Sequence, residues 1–363
     1  MSRYTMRPED GIDADLEADF QLVISAVRDA GIKYDAFYLV GGFGRGEGSV
    51  EHDGARWRAV NDYDFFLVGD FGPQERAQRA QLGRELAPRV GVDYVDLGLF
   101  PRTALRSAGP SIQNYEFKYG SMRLDGADVL AEMPEFTPEQ IPPYELVRLI
   151  CNRAAGMLTA DLPEHRNCPH YRQNQITKAL IAVGDTAAYL AGKYGPRYAD
   201  RAKYFDDISL PGNAMTLDDS AAALIKAAYE WKLHGRVPVG EVARETVSAM
   251  LIQTFCCIAG RCLGSEVATQ RRAYSELCRK YGGAPAGVLR CMAEWIFLQK
   301  SPATNKNIFY RVLFSQPIIY HAGSRSLIRV ARAYMHCMHG VPGALRRPWN
   351  EMSAVQLWMK HCH

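Results

Sequence analysis

The stretch FYLVGGFGRGEGSVEHDGARWRAVNDYDFFLV, residues 37–68, is the part of the chain that decides the fold. Its apolar start, 37–40, predicts a β-strand that runs into a glycine-rich turn at 41–46. A second apolar strand follows, and its sequence NDYDFFLV carries Asp62 and Asp64. Side chains at positions i and i+2 of a strand point to the same face. The sequence therefore predicts two neighbouring carboxylates beside a glycine turn.

These two features together predict a site for a metal ion and a phosphate. Like charges on one strand face repel each other unless a cation lies between them. Mg²⁺ is the expected ion, with Mn²⁺ as the alternative, because carboxylate and phosphate oxygens are its usual ligands. Backbone N–H groups at a turn between a strand and a helix bind phosphate oxygens. Gly41, Gly42 and Gly44 would let the backbone approach those oxygens.

A dinucleotide-binding turn is the nearest alternative to this interpretation. That motif has the spacing G-x-G-x-x-G and a single acidic residue about 20 positions later. Here the glycines follow the spacing GGxGxG, and two acidic residues share one strand face. The pattern therefore disfavours a dinucleotide site.

The segments LVGGFGRGE and NDYDFFLV resemble those of the nucleotidyltransferase superfamily of DNA polymerase β type. The glycine segment is most similar to that of the PII uridylyltransferases. The resemblance covers about residues 35–130, and the remainder is similar only in general layout to kanamycin nucleotidyltransferase. It implies an α+β fold, in which a small mixed β-sheet palm bears the glycine turn and three carboxylates and is followed by an all-helical domain.

One feature departs from the family pattern. Nineteen residues separate Gly42 from Asp62, which is longer than the usual gap. The extra residues, about 50–59, place Trp57 between two arginines. They form either a mobile flap over the nucleotide or a longer surface loop.

The third carboxylate that the resemblance implies is expected on the strand RVGVDYVDLGLF, residues 89–100. Asp93 and Asp96 lie three positions apart, so they face opposite sides of a regular strand. Asp96 is favoured, because the alternation places Leu97 and Leu99 in the core and Asp96 and Gly98 towards the cleft. Gly98 would also leave space for a substrate. Asp93 is the substitute.

The resemblance also implies the chemistry. Asp62 and Asp64 would hold metal ions that bridge the triphosphate, and Asp96 would complete the second metal site. Arg45, expected at the start of the following helix, either adds charge at the phosphates or forms an ion pair with Glu47. Ser49 is a further candidate phosphate donor.

The expected activity is an Mg²⁺-dependent nucleotidyltransferase. It would move a nucleoside monophosphate from an NTP, most simply ATP, to a hydroxyl or phosphate group of a small-molecule acceptor and release pyrophosphate. A protein nucleotidylating enzyme and a catalytically inactive nucleotide-binding module are the alternatives.

Proline-rich residues 134–143 predict a boundary between a catalytic domain, 1–135, and a helical nucleotide- or acceptor-binding domain, 144–363. Within the second domain, residues 173–194 predict an amphipathic helix. Lys178 lies off the apolar stripe of this helix, and related enzymes place a lysine of such a helix against the triphosphate. An ordinary exposed lysine fits the pattern equally well.

Charge and composition add two expectations. The chain has 363 residues, a net charge of +3 and nine cysteines without CxxC spacing, which favours reduced thiols in the cytoplasm. No apolar run approaches the ~20 residues of a membrane span. His165–His170 and His361–His363 lack the second ligand pair of a structural zinc site.

The late part of the chain is basic. No acidic residue occurs between Glu294 and Glu351, and Arg325, Arg329 and Arg332 share one face of a predicted helix. The segment 300–347 is therefore a candidate contact for an anionic surface or a phosphorylated acceptor, unless its charges pair with acids elsewhere in the fold.

Overall fold

The computed structural model describes residues 2–60, 62–160, 169–206, 217–235, 242 and 244–265. The fold is α+β, with a small mixed sheet and several helices, as the sequence predicts. Two compact units emerge from the contacts along the chain. The first contains the described residues of 1–142, 191–209 and 226–238, and the second contains those of 143–190, 210–225 and 239–265.

The helices and strands follow one another in chain order. They are α1 Ile12–Asp29, β1 Ala36–Leu39, the single turn α2 Gly41–Gly44, β2 Val50–His52, β3 Trp57–Ala59, β4 Asp62–Gly69, α3 Pro73–Val90, β5 Tyr94–Pro101, α4 Ile112–Gly120, β6 Met122–Gly126, α5 Pro143–Thr159, α6 Pro169–Leu190, α7 Tyr198–Lys203, α8 Asp219–His234 and α9 Arg244–Leu263. Short 3₁₀ segments lie at Arg102–Ala104, Leu130–Glu132 and Pro138–Gln140.

The main sheet has four strands in the order β5-β4-β1-β6. Strand β1 is antiparallel to both β4 and β6, whereas β4 and β5 are parallel. Helix α3 connects the two parallel strands, because a parallel pair needs a crossover that returns the chain to the same edge. The carboxylates of β4 and β5 can therefore lie at the same end of the sheet.

One face of this sheet forms the core of the first unit. Tyr63, Phe65 and Leu67 alternate along β4 and are fully buried, in a cluster with Phe20 of α1 and Leu86 of α3. Phe20 makes edge-on ring contacts with Tyr63 and Phe65. Since these apolar residues take one side of β4, their neighbours Asp62, Asp64 and Phe66 lie on the other.

Aromatic rings cover part of that second face. Phe66, Phe100 and Phe117 form a cluster in which the ring centroids lie 4.9 Å to 6.2 Å apart. Phe117 belongs to α4, which thus covers the end of the face away from the aspartates. Asp62 and Asp64 lie at the other end of this face, where both are partly buried.

The extra residues 50–59 form a β-hairpin that is held against α1. Strands β2 and β3 pair antiparallel. The backbone N–H of Trp57 donates to Oδ2 of Asp15 at 2.8 Å, and the guanidinium of Arg56 donates to Oδ1 of the buried Asp19 at 2.7 Å. Of the two interpretations, flap or surface loop, this placement favours a fixed surface hairpin.

Helices α5, α6 and α9 pack against one another in the second unit. Helix α6 ends at Leu190, so the prediction that it continues to Tyr194 was wrong. Gly192 adopts a φ of 69°, a left-handed conformation that suits the chain leaving a helix. One helix of the described chain, α9, is long and apolar enough to span a membrane, but half of its apolar stretch is buried, and core helices pass the same test.

Candidate active site

Asp62 and Asp64 lie on one face of the sheet, beside the aromatic cluster. Both side chains are partly buried, and the residue between them, Tyr63, is fully buried on the opposite side. The Tyr63 hydroxyl donates to Oδ2 of Asp19 at 2.8 Å, which fixes the orientation of this end of β4. The two carboxylates are thus presented together by a strand that the core holds in place.

The parallel pairing of β4 with β5 brings a third carboxylate to this face. Asp64 is in register with Asp96, and Asp62 is in register with Tyr94. Directly paired residues of neighbouring strands point to the same side of the sheet, so Asp96 lies beside Asp64. Asp93 precedes β5 and is exposed. Of the two candidates for the third carboxylate, only Asp96 has this position in the described sheet.

The glycine turn contacts Asp64 directly. The Val40 N–H donates to the carbonyl oxygen of Asp64 at 2.9 Å, and α2 begins at the next residue. Gly41 has a φ of +65°, and a methyl group at this position would lie 2.6 Å from Oδ2 of Asp64. Only glycine fits here without strain. The first N–H groups of a helical turn have no acceptor within that turn. The first amides of α2 therefore lie next to the carboxylate of Asp64 and are not bonded within the helical turn itself.

Two residues of the site were missed from the sequence. Tyr94 lies on the carboxylate face, where burial and the negative charge of Asp96 raise the pKa of Tyr94, with a smaller contribution from Asp64. Arg79 of α3 places Nη1 3.8 Å from Oδ1 of Asp96. Strand alternation, two positions before Asp96, could have identified Tyr94. Arg79 could not be found in this way, because its helix packs on β5 through tertiary contacts.

The donor set fits Mg²⁺ in chemistry but is not a preformed cage. Among the described residues, no group of three or more histidine, cysteine, aspartate or glutamate side chains is arranged to hold a metal ion. Mg²⁺ is usually bound through one or two carboxylates together with substrate phosphates and waters. Asp62 and Asp64 share one face, and Asp64 also lies against the glycine turn, so the two carboxylates meet that requirement. Asp96 would join them once Arg79 is displaced from it.

Arg45 does not have the expected position. It follows the single turn α2 instead of starting a helix, because the chain continues into the β2–β3 hairpin. Its side chain is 3% exposed and pairs with Glu47 and with Glu116. A guanidinium that is buried between two carboxylates is not available to a phosphate at the carboxylate face. The structure thus supports the other interpretation, the ion pair with Glu47.

Two further expectations need revision. The Ser49 hydroxyl donates to the carbonyl oxygen of Lys232 at 2.7 Å, so its proton is not directed to a phosphate. The space above Gly98 is filled by the ring of Phe66, so it does not hold a substrate. The missing side chain at Gly98 makes room for the aromatic cluster of the sheet.

The other predicted residues lie in several parts of the chain. Lys178 is partly buried on α6 and belongs to the second unit. Gly42 and Gly44 belong to α2, and Gly44 packs against the backbone of Leu39. The basic segment 300–347 lies outside the described residues, as do His165, Cys168 and His361–His363, whose spacing does not match a zinc site.

Comparison of the chain with protein-family models, with curated protein sequences and with solved structures finds no match. The superfamily therefore stays a prediction that rests on the two sequence segments, and the case for a function rests on the geometry of the carboxylate face.

Proposed function

We propose that this protein is a nucleotidyltransferase that moves a nucleoside monophosphate from an NTP to a small-molecule hydroxyl or phosphate group and releases pyrophosphate. One observation carries the proposal. The turn that would bind phosphate lies against Asp64, and Asp62 and Asp96 share the same sheet face. Acidic side chains beside backbone N–H donors suit a metal-bound polyphosphate. The positive metal ion would bind the carboxylates, and the negative phosphate oxygens would accept the N–H groups.

The chain would supply binding and orientation. The N–H groups of Gly42 and Phe43 would donate to oxygens of the β- and γ-phosphates. Gly41 has no side chain, so the ligand could come close to these amides. Asp62 and Asp64 would hold Mg²⁺, which would neutralise the phosphate charge and polarise the α-phosphate. Asp96, once Arg79 is displaced from it, would complete the metal site and help to deprotonate the attacking hydroxyl, and the neighbouring ring of Tyr94 would restrict the access of water.

The nucleotide half of the proposal is tested by calorimetry. Wild-type protein should bind a non-hydrolysable NTP analogue in the presence of Mg²⁺, and binding should be much weaker with EDTA. Asp62→Asn should lose the Mg²⁺-dependent part of the affinity. An affinity that is the same with and without Mg²⁺ would contradict the metal role of the carboxylates.

The transfer half needs a product. Each of the four NTPs is incubated with the protein and a cell extract, and pyrophosphate and new nucleotidylated species are measured. A small molecule that gains the mass of one nucleotide supports the proposal, and a modified protein would assign the alternative acceptor class. Binding of NTP without pyrophosphate release would indicate a binding module. The cytoplasm is the proposed location, because the cysteines of the chain lack the CxxC spacing of redox-active or metal-binding pairs and suit a reducing compartment.

A further inference from the structure

The carboxylate of Glu47 joins the glycine turn to a helix that lies 150 residues later in the chain. Its side chain is completely buried. Oε2 accepts the N–H of Tyr198 at 2.8 Å, and Oε1 accepts the N–H of Ala199 at 2.8 Å. These are the first two amides of α7. The negative charge therefore lies at the helix end where the backbone dipole favours it.

The backbone of the same residue closes the glycine turn. The Glu47 N–H donates to the carbonyl oxygen of Gly42 at 2.8 Å. A methyl group at Gly42 would lie 3.3 Å from the carbonyl oxygen of Glu47. Because Gly41 is adjacent and contacts Asp64, a shift of Glu47 would move the turn relative to the carboxylate face.

Arg45 provides a second connection to the same helix. Nε of Arg45 donates to Oε2 of Glu47 at 3.3 Å, and Nη1 donates to Oε2 of Glu116 at 3.1 Å. Its guanidinium lies 4.5 Å from the ring centroid of Tyr198. Arg201 of α7 is at the same distance from that ring and donates to Oε1 of Glu116 at 3.1 Å. Arg45 is thus linked to α7 directly, through the ring of Tyr198, and indirectly, through Glu116 and Arg201.

We propose that Glu47 is a positioning residue, which together with Arg45 uses α7 to hold the glycine turn in place against Asp64. Its effect on nucleotide binding rests on the proposed function, but its effect on the turn does not. Buried ion pairs often contribute little net stability compared with apolar residues of the same size. Their directional hydrogen bonds instead fix one arrangement, and here that arrangement places the turn.

Glu47→Gln in the full chain tests this role. A glutamine has one acceptor oxygen, so it cannot accept from Tyr198 and Ala199 as the carboxylate does. Amide hydrogen exchange of peptides within residues 40–49 should become about 10-fold faster, as expected for losing a hydrogen bond to a charged group. Peptides from α1 and α3 should exchange as in the wild type. The dissociation constant of the Mg²⁺–NTP analogue complex should also rise about 10-fold.

Two variants accompany this experiment. Glu51→Gln, at an exposed position of the adjacent hairpin, removes the same charge and should change neither measurement. Arg45→Lys keeps the positive charge but cannot pair with Glu47 and Glu116 at once. If Glu47→Gln does not fold, Arg45→Lys tests the same role and should show the same local increase in amide exchange.

The outcomes separate the two proposals. Unchanged exchange within residues 40–49 would overturn the positioning role. Equal acceleration in α1 and α3 would also overturn it, because Glu47 would then support only the stability of the whole unit. If the wild type fails to bind any NTP, the proposed function fails, while local acceleration in Glu47→Gln would still support the positioning of the turn.

Discussion

At the scale of single residues, Gly41 is the position at which sequence and site depend on each other most directly. Its φ of +65° and its contact with Asp64 leave no room for a side chain. We expect Gly41→Ala to lower the free energy of unfolding by about 1–2 kcal/mol because of the left-handed backbone, and to abolish most NTP binding because the new methyl group displaces Asp64.

Gly31 offers a matched control for this substitution. It has a φ of +73°, and nothing lies within 4 Å of a methyl group placed there. Gly31→Ala should therefore lose similar stability in urea unfolding but keep the affinity for NTP in calorimetry. Equal loss of affinity in both variants would show that the contact between Gly41 and Asp64 is not what matters.

Asp64 provides the second prediction at this scale. We expect Asp64→Asn to lower the rate of pyrophosphate release by about 10²–10³-fold, the loss typical of removing one electrostatic contact to a transition state. Asp93→Asn changes an exposed aspartate outside the strand and should keep nearly the full rate. If Asp93→Asn and Asp64→Asn are equally impaired, the register of β4 with β5 does not define the site.

Lys178 carries the third prediction. If it contacts the triphosphate, as the resemblance implies, Lys178→Ala should weaken NTP binding by about 1–3 kcal/mol, the range for a hydrogen bond to a charged group. Lys33→Ala, at an exposed position before β1, controls for the loss of one positive charge. An unchanged dissociation constant measured by calorimetry would remove Lys178 from the site.

At the scale of elements, the network between α4 and α7 predicts a dependence of stability on pH. Burial disfavours the charged form of Glu116, but the positive charges of Arg45 and Arg201 outweigh it and lower the pKa of Glu116 below its ordinary value of 4.5. A carboxyl group with a lowered pKa in the folded state stabilises the fold above its ordinary pKa, and this contribution is lost as the pH falls through the lowered value.

Glu116→Gln should therefore be destabilised by about 1.5–3 kcal/mol at pH 7, the range for hydrogen bonds to charged groups. We expect less than the ~3–5 kcal/mol of a fully buried pair, because this side chain is 23% exposed. The difference from the wild type should shrink as the pH falls below 4.5, because the unfolded wild-type chain then binds a proton at Glu116, which the folded chain binds only at a lower pH. Urea unfolding at pH 7, 5, 4 and 3 measures this, and a difference independent of pH would contradict it.

The sequence was sufficient to predict those features that follow from local periodicity. Alternation along the strand predicted that Asp62 and Asp64 share a face, and the structure has this feature, with the buried Tyr63 between them. The same alternation selected Asp96 over Asp93, which agrees with the register of β4 and β5. Such features depend only on side chains two positions apart, so one segment contains all the information.

Features that depend on partners distant in the sequence were not predictable in this way. Nothing near Glu47 indicates that its carboxylate accepts the amides of Tyr198 and Ala199, which lie beyond the four helices α3 to α6. The ring that fills the space at Gly98 comes from the neighbouring strand, and its position depends on Phe117 of α4. The environment of Arg45 and of Gly98 was therefore decided by tertiary packing, which a motif does not encode.

At the scale of the whole molecule, ligand binding should stabilise the chain only when metal and nucleotide are both present. At a free concentration 100 times the dissociation constant, an NTP analogue with Mg²⁺ should add about 2.7 kcal/mol to the free energy of unfolding. Chemical denaturation monitored by hydrogen exchange would show whether this gain in stability appears in the first unit. The two units need separate measurement, because a chain with two units need not unfold in one step. The double variant Asp62→Asn, Asp64→Asn should show no gain, and an equal gain without Mg²⁺ would contradict the assignment.

The bond between Glu47 and α7 also has a consequence for biosynthesis. A ribosome adds roughly 5–20 residues per second, so an N-terminal region emerges seconds before the segments that follow it. Glu47 is synthesised long before Tyr198 and Ala199, whose N–H groups donate to its carboxylate. The first unit therefore emerges without the amides that bind Glu47, and a fragment that stops at residue 142 would lack them altogether.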